Sequence, residues 1–168
     1  MHLAAAGEAR RLMYTARGDI FKLAGRFDWI VVPTNQGWTK DGRGILGKGL
    51  ALQAASRWPN LITDWGDHCM KALHEAGPLP IRCRGGLVIL APTKSLDEKA
   101  PWLSWRTAAR LSTIEETCLR LQRMAVDLDG ERILVPDLGW GEGGLLVEAV
   151  RPVLHRLLEH ERFLHITR

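Results

Sequence analysis

The sequence predicts an α/β sandwich built on a largely parallel sheet, and three observations predict it. Segments that read as strands alternate with segments of helical composition along the whole chain, the pattern required by a parallel sheet with crossover helices. One strand, Trp29–Pro33 (WIVVP), is a near-continuous apolar, β-branched run, as expected of a strand covered on both faces. Two glycine-rich loops each follow a strand and lead into a helix, which is where open α/β sheets bind ligands.

Each element follows in order. Residues 1–11 read as an irregular lead-in without a long apolar segment. Leu12–Ala16 (LMYTA) is a short strand that turns at Gly18-Asp19, and Asp19 is placed to N-cap a short helix over Ile20–Leu23. After WIVVP, with Pro33 tolerated at its end, a loop runs from Thr34 to Gly49 and carries Lys40-Asp41-Gly42-Arg43. Leu50–Ser56 is helical in composition and stops before Pro59. Leu61–Ala76 is a second helix, ended by Gly77-Pro78. Gly86–Ala91 (GLVILA) is a strand followed by Pro92-Thr93-Lys94, and Ser95–Thr107 is a polar stretch with tryptophans. Ala108–Val126 places Leu111, Ile114, Cys118, Leu121 and Ala125 at helical spacing. Arg132–Pro136 (RILVP) is a strand, Asp137–Gly144 the second glycine loop, Leu145–Glu159 a helix and Arg162–Thr167 a last strand. No repeat, low-complexity tract or linker interrupts this series, so residues 1–168 read as one domain.

Composition narrows the function classes. A chain of 168 residues can bury one full core. A net charge of +4 is compatible with phosphate-bearing partners without demanding nucleic acid. Cys69, Cys83 and Cys118 are odd in number and form no C-x-x-C. That argues against a disulfide framework and for a reducing, cytoplasmic compartment. The histidines show neither H-E-x-x-H nor paired Cys/His spacing, so no metal and no cofactor are expected. No apolar run approaches a membrane span, and a monomer is expected.

The first glycine loop, Gly42 to Lys48, fits G-x-x-x-x-G-K. The next residue is Gly49, where a P-loop carries the Ser or Thr whose hydroxyl binds Mg²⁺. A nucleotide hydrolase is therefore disfavoured. The physical logic of the loop survives, because consecutive backbone N–H groups opening a helix bind an anion without metal. The second loop, Leu138-Gly139-Trp140-Gly141-Glu142-Gly143-Gly144, has the same strand–loop–helix setting. Two such loops on neighbouring strands are placed to clamp a pyrophosphate.

Five segments also occur in a characteristic order: Gly18-Asp19-Ile20-Phe21, Val31-Val32-Pro33-Thr34-Asn35, Gly47-Lys48-Gly49-Leu50-Ala51, Pro92-Thr93-Lys94, and Pro136 through Leu145. In that order, over about Thr15 to Leu158, the sequence resembles the macrodomain (Appr-1''-p processing) family. The G-K-G-L-A-L-Q stretch and the late T-K pair look most like its DarG-type subclass, which removes ADP-ribose from DNA bases. The same subclass includes the terminal ADP-ribose protein glycohydrolase, which acts on acidic side chains. The resemblance implies a three-layer α/β/α macrodomain sandwich with a mixed, largely parallel sheet of about six strands.

It also implies roles. Asp19 would accept from the adenine amino group, with the Ile20 backbone N–H beside it, a role compatible with helix capping. Asn35 would sit by the distal ribose. Gly47, Lys48, Gly49 and Leu50 would line one side of the diphosphate. Gly139, Trp140, Gly141, Glu142 and Gly143 would wrap the other, with Thr93 adjoining. Lys94 matches the lysine this subclass uses in catalysis. As a desolvated neutral amine it would attack the anomeric carbon of the distal ribose; the alternative is that it stabilises charge without bonding.

There are departures from the pattern. The first loop is longer than in the DarG type and adds Trp38, Lys40, Asp41 and Arg43. A second insertion after Lys94 carries Trp102, Trp105 and Arg106. Aromatic and basic residues together suit a polynucleotide, since aromatics stack bases and arginines hold phosphates; tryptophans that close the insertions onto the core are the other reading. Gly143 stands where the protein glycohydrolase has an assisting aspartate, which leans towards a nucleic-acid substrate. The leading expectation is thus an ADP-ribosyl glycohydrolase acting on a DNA or other nucleic-acid base, serving as an antitoxin against a cognate ADP-ribosyltransferase or as a counter-defence factor. The alternatives are a non-catalytic ADP-ribose reader and a hydrolase acting on ADP-ribosylated protein.

Overall fold

The computed structural model describes residues 13–159 and 161–168. The expected lead-in over 1–11, and Leu12 of the first expected strand, lie outside the described residues. The strands are β1 (Tyr14–Arg17), β2 (Trp29–Asn35), β3 (Leu79–Cys83), β4 (Gly86–Lys94), β5 (Ile133–Pro136) and β6 (Phe163–Thr167). The helices are α1 (Ile20–Leu23), α2 (Gly49–Arg57), α3 (Asn60–Ala72), α4 (Leu111–Ala125) and α5 (Val147–Leu157).

The six strands form one sheet in the order β1-β6-β5-β2-β4-β3. All neighbours are parallel except β3, which pairs antiparallel with β4. Alternation along each strand sends side chains to opposite faces, and both faces are covered. Trp29, Val31, Ile89, Ile133, Val135 and Phe163 pack under Ile114, Cys118 and Leu121 of α4 and Val150 and Leu154 of α5. Ile30, Val32, Val88, Leu90, Leu134 and Ile166 face Ile20 of α1, the alanines 51, 54 and 55 of α2, and Leu61, Trp65 and Cys69 of α3. This is the expected three-layer α/β/α arrangement. Among the described residues, no helix is long and apolar enough to cross a membrane.

Three local expectations change. The helix expected to run to Ala76 ends at Ala72; Leu73 takes a left-handed φ of 53°, and a 3₁₀ turn covers Leu73–Glu75. The break frees carbonyls that the buried Gln36 uses, its Nε2 donating to His74 O and Ala76 O. Strand β3 has no local signal in the sequence, because Leu79-Pro80-Ile81-Arg82-Cys83 is short, carries a proline and needs β4 to define it. It sits at the sheet edge, where a proline is tolerated. Within the polar stretch after Lys94, Pro101–Arg106 forms a 3₁₀ helix.

Candidate active site

Five mutually parallel strands end on the same edge of the sheet, and a cleft of about 880 Å³ lies over those ends. That size falls in the range of small-molecule sites, about 300–1,000 Å³. Its floor comes from the residues after β1 (Gly18, Asp19, Ile20) and from the ends of β2 (Pro33, Thr34, Asn35), β4 (Thr93, Lys94) and β5 (Pro136, Asp137). Its two lips are the glycine loops, Gly47 to Ala51 and Gly139 to Gly143. Every residue expected from the sequence to touch ADP-ribose lines this one cleft.

Asn35 and Lys94 come together through a register shift. Along β2 and β4 the residues pair one to one until Thr34 opposes Pro92; the next pair is Asn35 with Lys94, so Thr93 is the extra residue of a bulge. A bulge bends a strand and re-aims its side chains. Asn35 is buried and held: its Oδ1 accepts from Gly37 N at 2.9 Å, its Nδ2 points to Ile45 O at 3.4 Å, and its carbonyl accepts from Trp65 Nε1 at 2.9 Å. Thr93 Oγ1 donates to Thr34 O at 3.2 Å.

Lys94 Nζ donates to the Trp105 carbonyl at 2.8 Å. Burial lowers its pKa below the ordinary lysine value; nearby Glu142 opposes the change and nearby Lys48 adds to it. A larger share of neutral amine is the physical requirement for a nucleophilic lysine. Lys48 Nζ and Glu142 Oε2 lie 3.7 Å apart, an exposed ion pair that joins the two lips.

The lips are built from backbone. Helix α2 opens at Gly49 with φ 57°, and no side chain caps its first turn, so its leading N–H groups are free to meet an anion. In the second loop Gly141 has φ 65°. A Cβ at either glycine would stand in open space; glycine is required there by conformation, and the openness leaves the backbone accessible to a ligand. Asp19 caps α1 through Oδ1, which accepts from Phe21 N at 2.9 Å, and it lines the cleft as well.

Two features of the cleft carry no local signal in the sequence. Asp137, buried at the end of β5, accepts from Arg151 Nε and Nη2 at 3.1 and 3.0 Å and from His165 Nε2 at 2.8 Å. Burial by itself would raise its pKa, but the hydrogen bonds and charges of His165 and Arg151 outweigh that and hold it at about 2. His155 Nε2 lies 3.1 Å from His165 Nδ1, and both contacts of His165 are satisfied when His155 donates to it and it donates to Asp137. Burial, His165 and Arg151 lower the pKa of His155, consistent with a neutral donor. The PDLG motif placed Asp137 at a strand end, but its partners come from α5 and β6. The second feature is Thr34, whose buried Oγ1 has no hydrogen-bond partner among the described residues while the residue lines the cleft. A ligand hydroxyl would satisfy it.

The six residues expected to contact nucleic acid differ in their surroundings. Trp38 is half-buried against the α2/α3 core, with its backbone bridged to Gly44. Arg43 is engaged by Asp41 of its own loop at 2.9 Å. Trp105 lines the cleft with Arg106 against its ring, and Lys40 lies against the ring of Trp102.

No protein-family model matches the chain. Its sequence is similar to the DNA ADP-ribosyl glycohydrolase of Mycobacterium tuberculosis, with 31% identity over 107 residues, 61% of this chain and 28% of the relative. The chain thus spans less than a third of the length of the curated relatives it matches. Among solved structures, the macrodomain of Mycobacterium tuberculosis DarG superposes with a TM-score of 0.70 at 24% identity, covering 95% of this chain and 98% of that one. Thermosipho africanus DarTG in complex with ADP-ribose gives 0.71 at 21% identity, covering 94% and 43%. The chain therefore has the macrodomain fold, and DarG macrodomains are among the structures it resembles.

Proposed function

We propose that this macrodomain binds ADP-ribose in the cleft and acts as a glycohydrolase that removes it from a nucleic-acid base. The observation that carries this reading is the place of Lys94: a partly desolvated amine at the end of β4, next to Asn35 and between two glycine lips. The lips would hold the diphosphate and Asp19 and Ile20 the adenine, so that binding energy far from the reacting carbon aligns it. In the chemical step the neutral Lys94 amine attacks the anomeric carbon of the distal ribose. The bond from that carbon to the base breaks, and the base leaves with a proton. Water then releases ADP-ribose and restores the amine. Asn35, fixed by three hydrogen bonds, would orient the sugar.

The names of the sequence relatives, DNA ADP-ribosyl glycohydrolases, favour DNA as the polymer. Gly143, at the position of the protein glycohydrolase's aspartate, points the same way. In this reading the chain works in the cytoplasm as an antitoxin that reverses a cognate ADP-ribosyltransferase.

The test is release of ADP-ribose from ADP-ribosylated single-stranded DNA and from a peptide ADP-ribosylated on glutamate. Wild type is expected to clear the DNA, and Lys94→Ala to slow release by at least about a hundredfold while still binding free ADP-ribose. Binding without turnover on either substrate would make the chain a reader. Clearance of the peptide alone would make protein the substrate.

A further inference from the structure

We infer that the 3₁₀ helix Pro101–Arg106 is a stacking rail that receives the single-stranded DNA flanking the modified base; this rests on the cleft being the ADP-ribose site. In a 3₁₀ helix, side chains three residues apart eclipse one another. Trp102 and Trp105 are three apart, so their side chains leave the helix on one side, about 6 Å apart along the axis at a rise of about 2 Å per residue. Both are exposed, at 39% and 43%, unusual for the largest apolar side chain in two consecutive turns. Each has a cation against its ring: Lys40 Nζ lies 5.0 Å from the Trp102 centroid and the Arg106 guanidinium 5.0 Å from that of Trp105.

The rail has a direction. Trp105 lines the cleft, and its carbonyl receives Lys94 Nζ. Trp102 lies one turn further out and does not line the cleft. A strand leaving the reaction centre would therefore meet Trp105 first and Trp102 next, with Arg106 and Lys40 beside its phosphates. The rail is also rigid. Ser104 between the rings is fully buried, its Oγ accepting from Asp97 N at 2.9 Å. A Cβ on Gly37 would come within 2.2 Å of the Pro101 carbonyl, so the first insertion packs directly beneath it. A fixed pair of exposed rings flanked by cations matches the chemistry of unpaired bases on a phosphate backbone, where stacking tolerates any sequence. It does not match a folded protein surface, which offers no regular series of flat faces.

The test uses a fluorescent, unmodified single-stranded oligodeoxynucleotide, read by anisotropy across a salt series, with calorimetry on free ADP-ribose in parallel. Trp102→Ala is expected to weaken oligonucleotide binding roughly 5- to 100-fold and to leave ADP-ribose affinity unchanged, which also reports that the variant is folded. Lys40→Ala is expected to flatten the salt dependence, lowering the slope of log K against log salt by about 0.7. The same sequence as a duplex should bind more weakly than the single strand. Equal oligonucleotide affinity for wild type and Trp102→Ala, duplex binding that matches the single strand, or a preference for RNA of the same sequence would overturn the inference. If wild type releases no ADP-ribose from any substrate while Trp102→Ala still loses oligonucleotide binding, the rail stands and the glycohydrolase reading falls.

Discussion

The two glycine lips face each other across one cleft but are held in different ways. The loop that leads into the first is locked by close approach of backbones. Gly44 N donates to Ile62 O of α3 at 2.8 Å, and a Cβ on Gly66 of that helix would lie 2.4 Å from Gly42 O. Trp65, wholly buried in α3, anchors the Asn35 carbonyl at the loop's start. The second lip packs on Ala109, Ile114 and Leu145 and is held by charge as well. Asp137 at its root is tied to Arg151 and His165, and the far side is stitched by Ala109 N to Gly143 O at 3.0 Å. Backbone packing contains no titrating group, whereas a buried carboxylate network depends on its protonation. One lip should therefore behave as a fixed wall and the other as a wall that acid can loosen.

The largest expected effect is at the packed lip. Gly66→Val places side-chain atoms where the Gly42 carbonyl now sits and should cost about 3 kcal/mol or more. Thermal unfolding should report a lower Tm, with ADP-ribose affinity lost together with it. Next comes the charged lip. Asp137→Asn removes a carboxylate whose pKa is held at about 2 and should cost about 2–3 kcal/mol at neutral pH. Denaturant midpoints measure it, and ADP-ribose affinity should fall more than for a core variant of equal instability.

The same carboxylate sets a pH signature. A folded pKa below the unfolded value gives stability that is fully present above about pH 4 and is lost as pH falls towards 2. In Asp137→Asn that stretch of the acid limb should flatten. The smallest effect is expected for the Lys48–Glu142 pair between the lips. Both side chains are about two-thirds exposed, and exposed pairs are worth less than about 1 kcal/mol. Glu142→Gln should leave Tm nearly unchanged. It should, however, remove the opposition to the lowered Lys94 pKa, so the rise of turnover with pH should begin at lower pH than in wild type.

The difference between the lips also explains what the sequence could tell. Both loops were legible because their signal is local: glycines between a strand and a helix. The strands WIVVP, GLVILA and RILVP were legible because a doubly covered strand is apolar along its length. Asp19, Asn35, Thr93 and Lys94 were legible through an ordered series of short motifs. The Asp137–Arg151–His165–His155 chain was not, because its members meet only when β5, α5 and β6 are side by side. Strand β3 was hidden for the same reason, being defined by its partner and not by its own pattern. Composition did not show the surroundings of the tryptophans and arginines of the two insertions: Trp38 packs partly against the core, Arg43 pairs with Asp41 of its own loop, and Trp102 and Trp105 stand exposed.

The central claim is that both lips grip one ligand while Lys94 waits beneath it. The most direct measurement is the backbone amide spectrum of ¹⁵N-labelled protein titrated with ADP-ribose. The account predicts that the amides of Gly47 and Gly49 and those of Gly139, Gly141 and Gly143 shift together, with one saturation curve. Shifts confined to one loop, or to neither, would contradict it.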